Sequence, residues 1–325
     1  MRKDEKMSGK VINTITHGVK TLLKPWTHLD FPENTGMDYH FAIVSDRAGR
    51  PRAGVFENAI DKINKMMPDF VMSVGDYIDG ICVEDQSVSF LEKQWKTFLP
   101  MVKKCIPPFF FLMGNHDCIP PWSRFPGVHE RMEKLYLSHF GVAYYHFIYK
   151  NTLFLCLNTN AVEGGGMDEE QLQWALKILE ENKDVCWTFV FQHSPAKWLS
   201  PQFAKLEEVL YERNYTVISG DLHQYTKYVR NGRKYFMLGL TGGGAVPGKD
   251  LRGVHFGEFD HITWVSMRNG KPSFVNIALD GLYDEDVVTT EKITWLTPDY
   301  FRANKKLPVK EAKRLQKKGI IVENC

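Results

Sequence analysis

From Tyr39 onward, short apolar runs alternate with longer segments of helical period, and this alternation limits the possible folds more than any other feature of the chain. Residues 41–45 read as a strand. Residues 55–67 carry apolar side chains at 55, 56, 59, 60, 63, 66 and 67, the stripe of an amphipathic helix. Residues 69–74 form the next strand, 88–98 the next helix, and 109–113 a fully apolar strand. Strand, helix, strand, helix, strand implies parallel pairing through right-handed crossovers. After a helix over 129–140 the texture changes to two short runs, 144–149 and 153–158, flanking Lys150-Asn151 as in a hairpin. Asp168 predicts the cap of a helix reaching 181. Strand 185–192, helix 202–214 and strand 216–219 follow. In the last third, Asn231-Gly232 and Asn269-Gly270 signal type I′ turns between antiparallel strands.

The residues able to do chemistry fall just after the strands. Asp46, Asp76, Asn115-His116, His193, Asp221 and His223 all occupy such positions. In an open α/β sheet, polar groups beyond the carboxyl ends of strands converge on one crevice, so five distant segments can supply one site. Carboxylates, a side-chain amide and imidazoles suit manganese, iron, zinc or magnesium.

This pattern resembles the calcineurin-like metallophosphoesterases, whose signature runs D-x-H, G-D-x-x-[DN], G-N-H-[DE], a later H, and G-H-x-H. Here the second element is Gly75-Asp76-Tyr77-Ile78-Asp79, the third Gly114-Asn115-His116-Asp117, and the fourth His193. Two elements depart from the family. Asp46-Arg47-Ala48 has Ala48 where the family has a metal-binding histidine, and Gly220-Asp221-Leu222-His223 has Asp221 in place of the first histidine. The resemblance implies a four-layer α/β/β/α sandwich of two mixed sheets and two divalent metal ions. It assigns the first ion to Asp46, Asp76 and His223, and the second to Asp76, Asn115, His193 and Asp221. Losing an imidazole at position 48 weakens the first site. A carboxylate at 221 tilts the expected metal from zinc toward manganese or magnesium. His116 takes the family role of phosphate-contacting acid, with Asp117 as its expected orienting partner. Arg47, beside the lost ligand, and Trp122 and Arg124, in the proline-rich segment after the third motif, are candidate substrate contacts.

The implied function is metal-dependent hydrolysis of a phosphomonoester or phosphodiester. Its rival, permitted by the two departures, is a phosphoesterase-fold protein without useful turnover that acts as a binding module. Other features are blander. The six cysteines form no C-x-x-C pair and read as reduced, partly buried thiols. Thr241-Gly242-Gly243-Gly244 lacks the G-K-[ST] of a phosphate loop and reads as a flexible loop near the site. Nothing in the body pairs a basic stripe with regular aromatics, as nucleic-acid binding would require.

Charge divides the 325 residues into three parts. The net charge is +2, yet residues 1–24 hold six Lys/Arg against two acids and residues 302–319 eight against one. The rest of the chain is therefore at −9, and the acids responsible lie almost entirely in the body between the two ends. Residues 1–36 are read as a basic N-terminal extension, 37–283 as the phosphoesterase domain, and 284–325 as a basic C-terminal extension. Val11, Ile12, Ile15, Val19, Leu22 and Leu23 fall at helical spacing among lysines. They describe either an amphipathic helix on an anionic membrane surface or a helix packed on its own domain or a partner. Residues 308–318 make at most a short basic helix. The polar start and the absence of a long apolar run predict no signal peptide, no transmembrane helix and a cytoplasmic protein.

Overall fold

A computed structural model describes residues 15–33, 36–80, 87–121, 126–195, 200–244, 250–289 and 307–323. The first half contains β1 (Thr16–His17), β2 (Tyr39–Val44), α1 (Val55–Met66), β3 (Phe70–Ser73), α2 (Val88–Val102), β4 (Phe109–Phe110) and α3 (Val128–Phe140). The hairpin β5 (Tyr145–Tyr149) and β6 (Thr152–Leu157) leads to α4 (Glu169–Glu181), β7 (Trp187–Gln192), α5 (Pro201–Leu210) and β8 (Tyr215–Ser219). Then come β9 (Thr226–Arg230), β10 (Arg233–Met237), β11 (His261–Arg268), β12 (Lys271–Ala278), β13 (Gly281–Asp284) and α6 (Val309–Lys317).

Local chemistry explains the ends of these elements. The Asp168 side chain accepts from Gln171 N at the start of α4, and Ser200 caps α5 ahead of Pro201. Asn231, Gly232, Asn269 and Gly270 all have positive φ, as two-residue type I′ turns demand.

The strands form two mixed sheets, a six-stranded one ordered β13-β12-β11-β2-β3-β4 and a seven-stranded one ordered β1-β5-β6-β7-β8-β10-β9. β2, β3 and β4 are parallel, as are β6, β7, β8 and β10. The inner faces meet through aromatic rings. Phe41 and Phe70 of one sheet contact Phe154, and Phe41 also contacts Phe189, all with centroids 5.2–5.3 Å apart. The outer faces carry helices. Phe56, Ile60, Leu91, Trp95 and Tyr136 cover one sheet, and Leu172, Leu179, Leu206 and Leu210 the other. This is the expected four-layer α/β/β/α sandwich. Coverage on both faces explains why every residue of β3 and β7 is buried.

Two expectations need correction. Of the apolar run 109–113 only Phe109 and Phe110 pair as a strand. Beyond them, Phe111 N donates to Pro25 O and Leu112 N to the Tyr77 hydroxyl, so the chain ahead of β2 and a side chain take the ladder's hydrogen bonds. The N-terminal stripe is not helical where it is described. Thr16–His17 pairs with β5, and Val19 and Trp26 enter the inter-sheet core while Leu22 is exposed. Val11 and Ile12 lie outside the described residues. α6 packs Leu315 against Leu307, Ile320 and Tyr211, and Arg314 and Lys318 pair with Glu212 of the acidic body. Its tail bonds Gly232, in the β9–β10 turn. β1 lies at the opposite edge of that sheet.

Candidate metal centre

The strand ends bring Asp46, Asp76, Asn115, His116, His193, Asp221 and His223 into one cluster. Asp46, Asp76 and His193 are completely buried, and their ligand atoms all lie within 4.8 Å of one another. His193 Nε2 is 3.2 Å from Asp76 Oδ1, 2.7 Å from Asn115 Oδ1 and 3.9 Å from Asp221 Oδ1. His223 Nε2 is 4.0 Å from Asp46 Oδ2, and His116 Nε2 is 3.9 Å from Asp76 Oδ2.

The backbone here is tightly specified. Asp76, Asp221 and His223 all have positive φ (61°, 76° and 54°), a conformation non-glycine residues hold only when surroundings compel it. At Asp76 the compulsion is visible. Its N–H donates to Asp117 Oδ2, and its carbonyl accepts from Arg47 N and Ala48 N. The Gly114 of the third motif is required by close approach, because a Cβ there would lie 2.2 Å from Asp76 Oδ1.

Two sequence assignments change. Asp117 does not orient the His116 ring. Its carboxylate accepts from Asp76 N, Gly114 N and Tyr77 N, binding the second and third motifs together, while His116 Nδ1 donates to the Asp79 carbonyl at 3.0 Å. Arg47 turns away from the cluster. Its guanidinium donates to Tyr77 O and lies 5.7 Å over the Phe98 ring of α2. Trp122 and Arg124 lie outside the described residues. Sequence reasoning also missed Ser194, whose hydroxyl donates to Asp221 Oδ2. Its only signal was adjacency to His193.

The charge in this cluster is unbalanced. Burial, then repulsion from Asp76 and Asp221, pushes the Asp46 carboxyl well up. Burial and Asp76 likewise raise Asp117 to about 7. For Asp76, burial opposes ionisation, but His193 and His116 hold it well below the usual carboxylate range. Burial alone would lower His193, yet Asp76, Asp46 and Asp221 raise it well above its ordinary value.

These residues fit a divalent cation. Asp46 Oδ1, Asp76 Oδ2 and His223 Nε2 are buried without hydrogen-bond partners. His193 Nδ1 donates to Val74 O at 2.6 Å, and its other nitrogen faces Asn115 Oδ1 and Asp76 Oδ1. Oxygens that only accept, around that nitrogen, call for a second proton on the ring or a cation in its place.

The sequence profile of the calcineurin-like phosphoesterases matches residues 38–225, more than half of the chain and every residue of this cluster. The chain belongs to this family. Calcineurin-like phosphoesterases are metal-dependent hydrolases of phosphoesters, and among the described residues Asp46, Asp76 and His193 form a group that could hold such a metal. Two solved structures share the fold. One is PhoD, 12% identical, with a TM-score of 0.55 over 87% of this chain and 78% of its own. The other, a dimetal phosphatase from Danio rerio, is 14% identical, with a TM-score of 0.52 over 76% of this chain and 96% of its own. None of the curated proteins matches the sequence. Among the described residues no helix is long and apolar enough to cross a membrane.

Proposed function

We propose that this phosphoesterase hydrolyses a phosphomonoester or phosphodiester with water, using metal held by Asp46, Asp76, Asn115, His193, Asp221 and His223. The observation that carries this reading is the buried Asp46–Asp76–His193 group with two carboxylate oxygens left unbonded. A divalent ion held there supplies Lewis-acid charge to phosphoryl oxygens and makes water a stronger nucleophile. Asn115 and Asp221 add oxygen donors, which favours manganese or magnesium over zinc. His116 is the proton donor to the leaving oxygen. With Nδ1 committed to the Asp79 carbonyl, Nε2 is the atom that takes up and hands on a proton. Asp117 keeps Asp76 and His116 in register by holding the backbone of both loops.

Ala48, completely buried where the family has an imidazole, favours a second reading in which the first metal site is weak and the protein binds without turnover. Manganese stoichiometry, read with turnover of an aryl phosphate and an aryl phosphodiester, decides between them. Turnover lost in His116→Ala supports the enzyme. Metal-loaded protein whose turnover is zero, or indifferent to His116→Ala, supports the binding module.

A further inference from the structure

The Thr241-Gly242-Gly243-Gly244 run, expected to be flexible, is instead heavily bonded to the loop after β2. Thr241 N and Gly243 N donate to Asp46 O at 2.9 and 3.2 Å, Gly244 N donates to Gly49 O, and Arg52 N donates to Gly242 O. Packing is backbone against backbone, since a Cβ on Gly243 would lie 2.4 Å from Ala48 O. One carbonyl of the run faces the metal centre: Gly244 O accepts from His223 Nδ1 at 2.6 Å. A carbonyl only accepts, so Nδ1 carries the proton and the lone pair of the neutral ring sits on Nε2. That atom is the buried, unpartnered nitrogen near Asp46.

The run is held by a charged pair outside the cluster. Asp260 Oδ1 accepts from Gly242 N at 2.9 Å and from Arg52 Nη2 at 2.6 Å. The Arg52 fork also donates to Gly243 O, from Nε at 3.2 Å and Nη2 at 2.9 Å. Asp260 further lines an open cavity of about 550 Å³ with Arg252, His255, Asp280 and Tyr283, so the pair stands between that cavity and the loop. Arg52 is half-exposed, and an ion pair with so exposed a member adds little to global stability. Its geometric effect is local and specific.

We infer that Arg52 and Asp260 are positioning residues that fix the tautomer and aim of His223 through the carbonyl of Gly244. The inference rests on reading His223 as a metal ligand. Partners that orient a ligating imidazole typically change metal affinity about 10- to 100-fold when removed. The low end applies here, because the pair acts through one further loop.

The test uses the full chain and manganese alone, with affinity measured by electron paramagnetic resonance. Asp260→Ala is expected to lose about tenfold in affinity and to lose nothing further in a His223→Asn background. Asp260→Asn, which keeps an acceptor for Gly242 N, recovers most of that loss, and Asp280→Asn, on the same cavity wall, changes nothing. In metal-free protein, nitrogen NMR of the His223 ring reports the Nδ1–H tautomer in wild type and a mixture in Asp260→Ala. Equal losses in both backgrounds, or an unchanged tautomer, overturn the inference. A wild-type protein that binds no manganese defeats the phosphoesterase reading instead, while the ring-nitrogen signals still decide the positioning role.

Discussion

Asp46→Asn asks whether the first strand-end carboxylate serves the fold or a cation. Asp46 and Asp76 are completely buried, with ligand atoms no more than 4.8 Å apart. Two such charges repel by about 3.5 kcal/mol at an effective dielectric constant of about 20. Burial and that repulsion raise the Asp46 carboxyl, while Asp76 pairs with His193. Both effects disfavour the charged form of Asp46, and asparagine is a near isostere of the uncharged one. Asp46 Oδ2 accepts the Asp221 N–H, which an amide oxygen retains, and Oδ1 has no hydrogen bond to lose. With chelator present, Asp46→Asn is expected to change the unfolding free energy by less than about 1 kcal/mol. With manganese at about 100 times its dissociation constant, wild type gains about 2.7 kcal/mol and the variant far less. Urea unfolding followed by tryptophan fluorescence, with and without manganese, measures both quantities. A loss above about 2 kcal/mol in chelator would make Asp46 a structural cap. Undiminished manganese stabilisation of the variant would remove it from the ligand set.

Three further outcomes are expected. Ala48→His adds an imidazole where the backbone N–H already bonds Asp76 O. It should tighten manganese binding, while enlarging a buried alanine costs about 1–3 kcal/mol of metal-free stability; titration calorimetry showing unchanged affinity would place position 48 outside the site. Burial holds His261 down at about 4, so the unfolded chain binds its proton first. Stability is intact above pH 6.5 and falls, by about 3 kcal/mol in all, as pH drops from 6.5 through 4. Urea midpoints at pH 7.5 and 4 should show a smaller acid loss in His261→Gln, and an equal loss refutes the assignment. Lys310, Lys313 and Lys317 of α6 face solvent without ion pairs among the described residues, and each is worth about 1 kcal/mol at an anionic surface. Flotation with phosphatidylserine vesicles at low salt should recover wild type but not the triple lysine-to-glutamine variant. Wild type left unbound excludes this use of the helix.

Much of the fold was readable because its signals are local. The period of α1, the Asp168 cap of α4 and the Asn-Gly turns each depend on residues within one or two turns of chain. The same holds for the motifs after β3 and β4, where glycine and aspartate stand together because the two loops touch. The N-terminal stripe misled because its spacing is helical, whereas pairing with β5 and burial of Val19 and Trp26 draw the chain into the inter-sheet core. Asp117 and Arg47 misled for a related reason. Adjacency assigned them to His116 and to Ala48, while three of their hydrogen-bond partners, the amides of Asp76 and Tyr77 and the carbonyl of Tyr77, lie 30–41 positions away.

By itself, the sequence determined which donor atoms exist and that each follows a short apolar run, since both follow from residue type and the length of those runs. It also determined the two departures, Ala48 and Asp221. Only the tertiary structure decided how much charge the site must balance and what steers its imidazoles. Burial removes the water that would otherwise solvate Asp46 and Asp76, and distant backbone groups at Val74 and Gly244 choose which nitrogen of His193 and His223 faces them. Those are properties of the enclosing volume, which exists only once the two sheets have closed on each other.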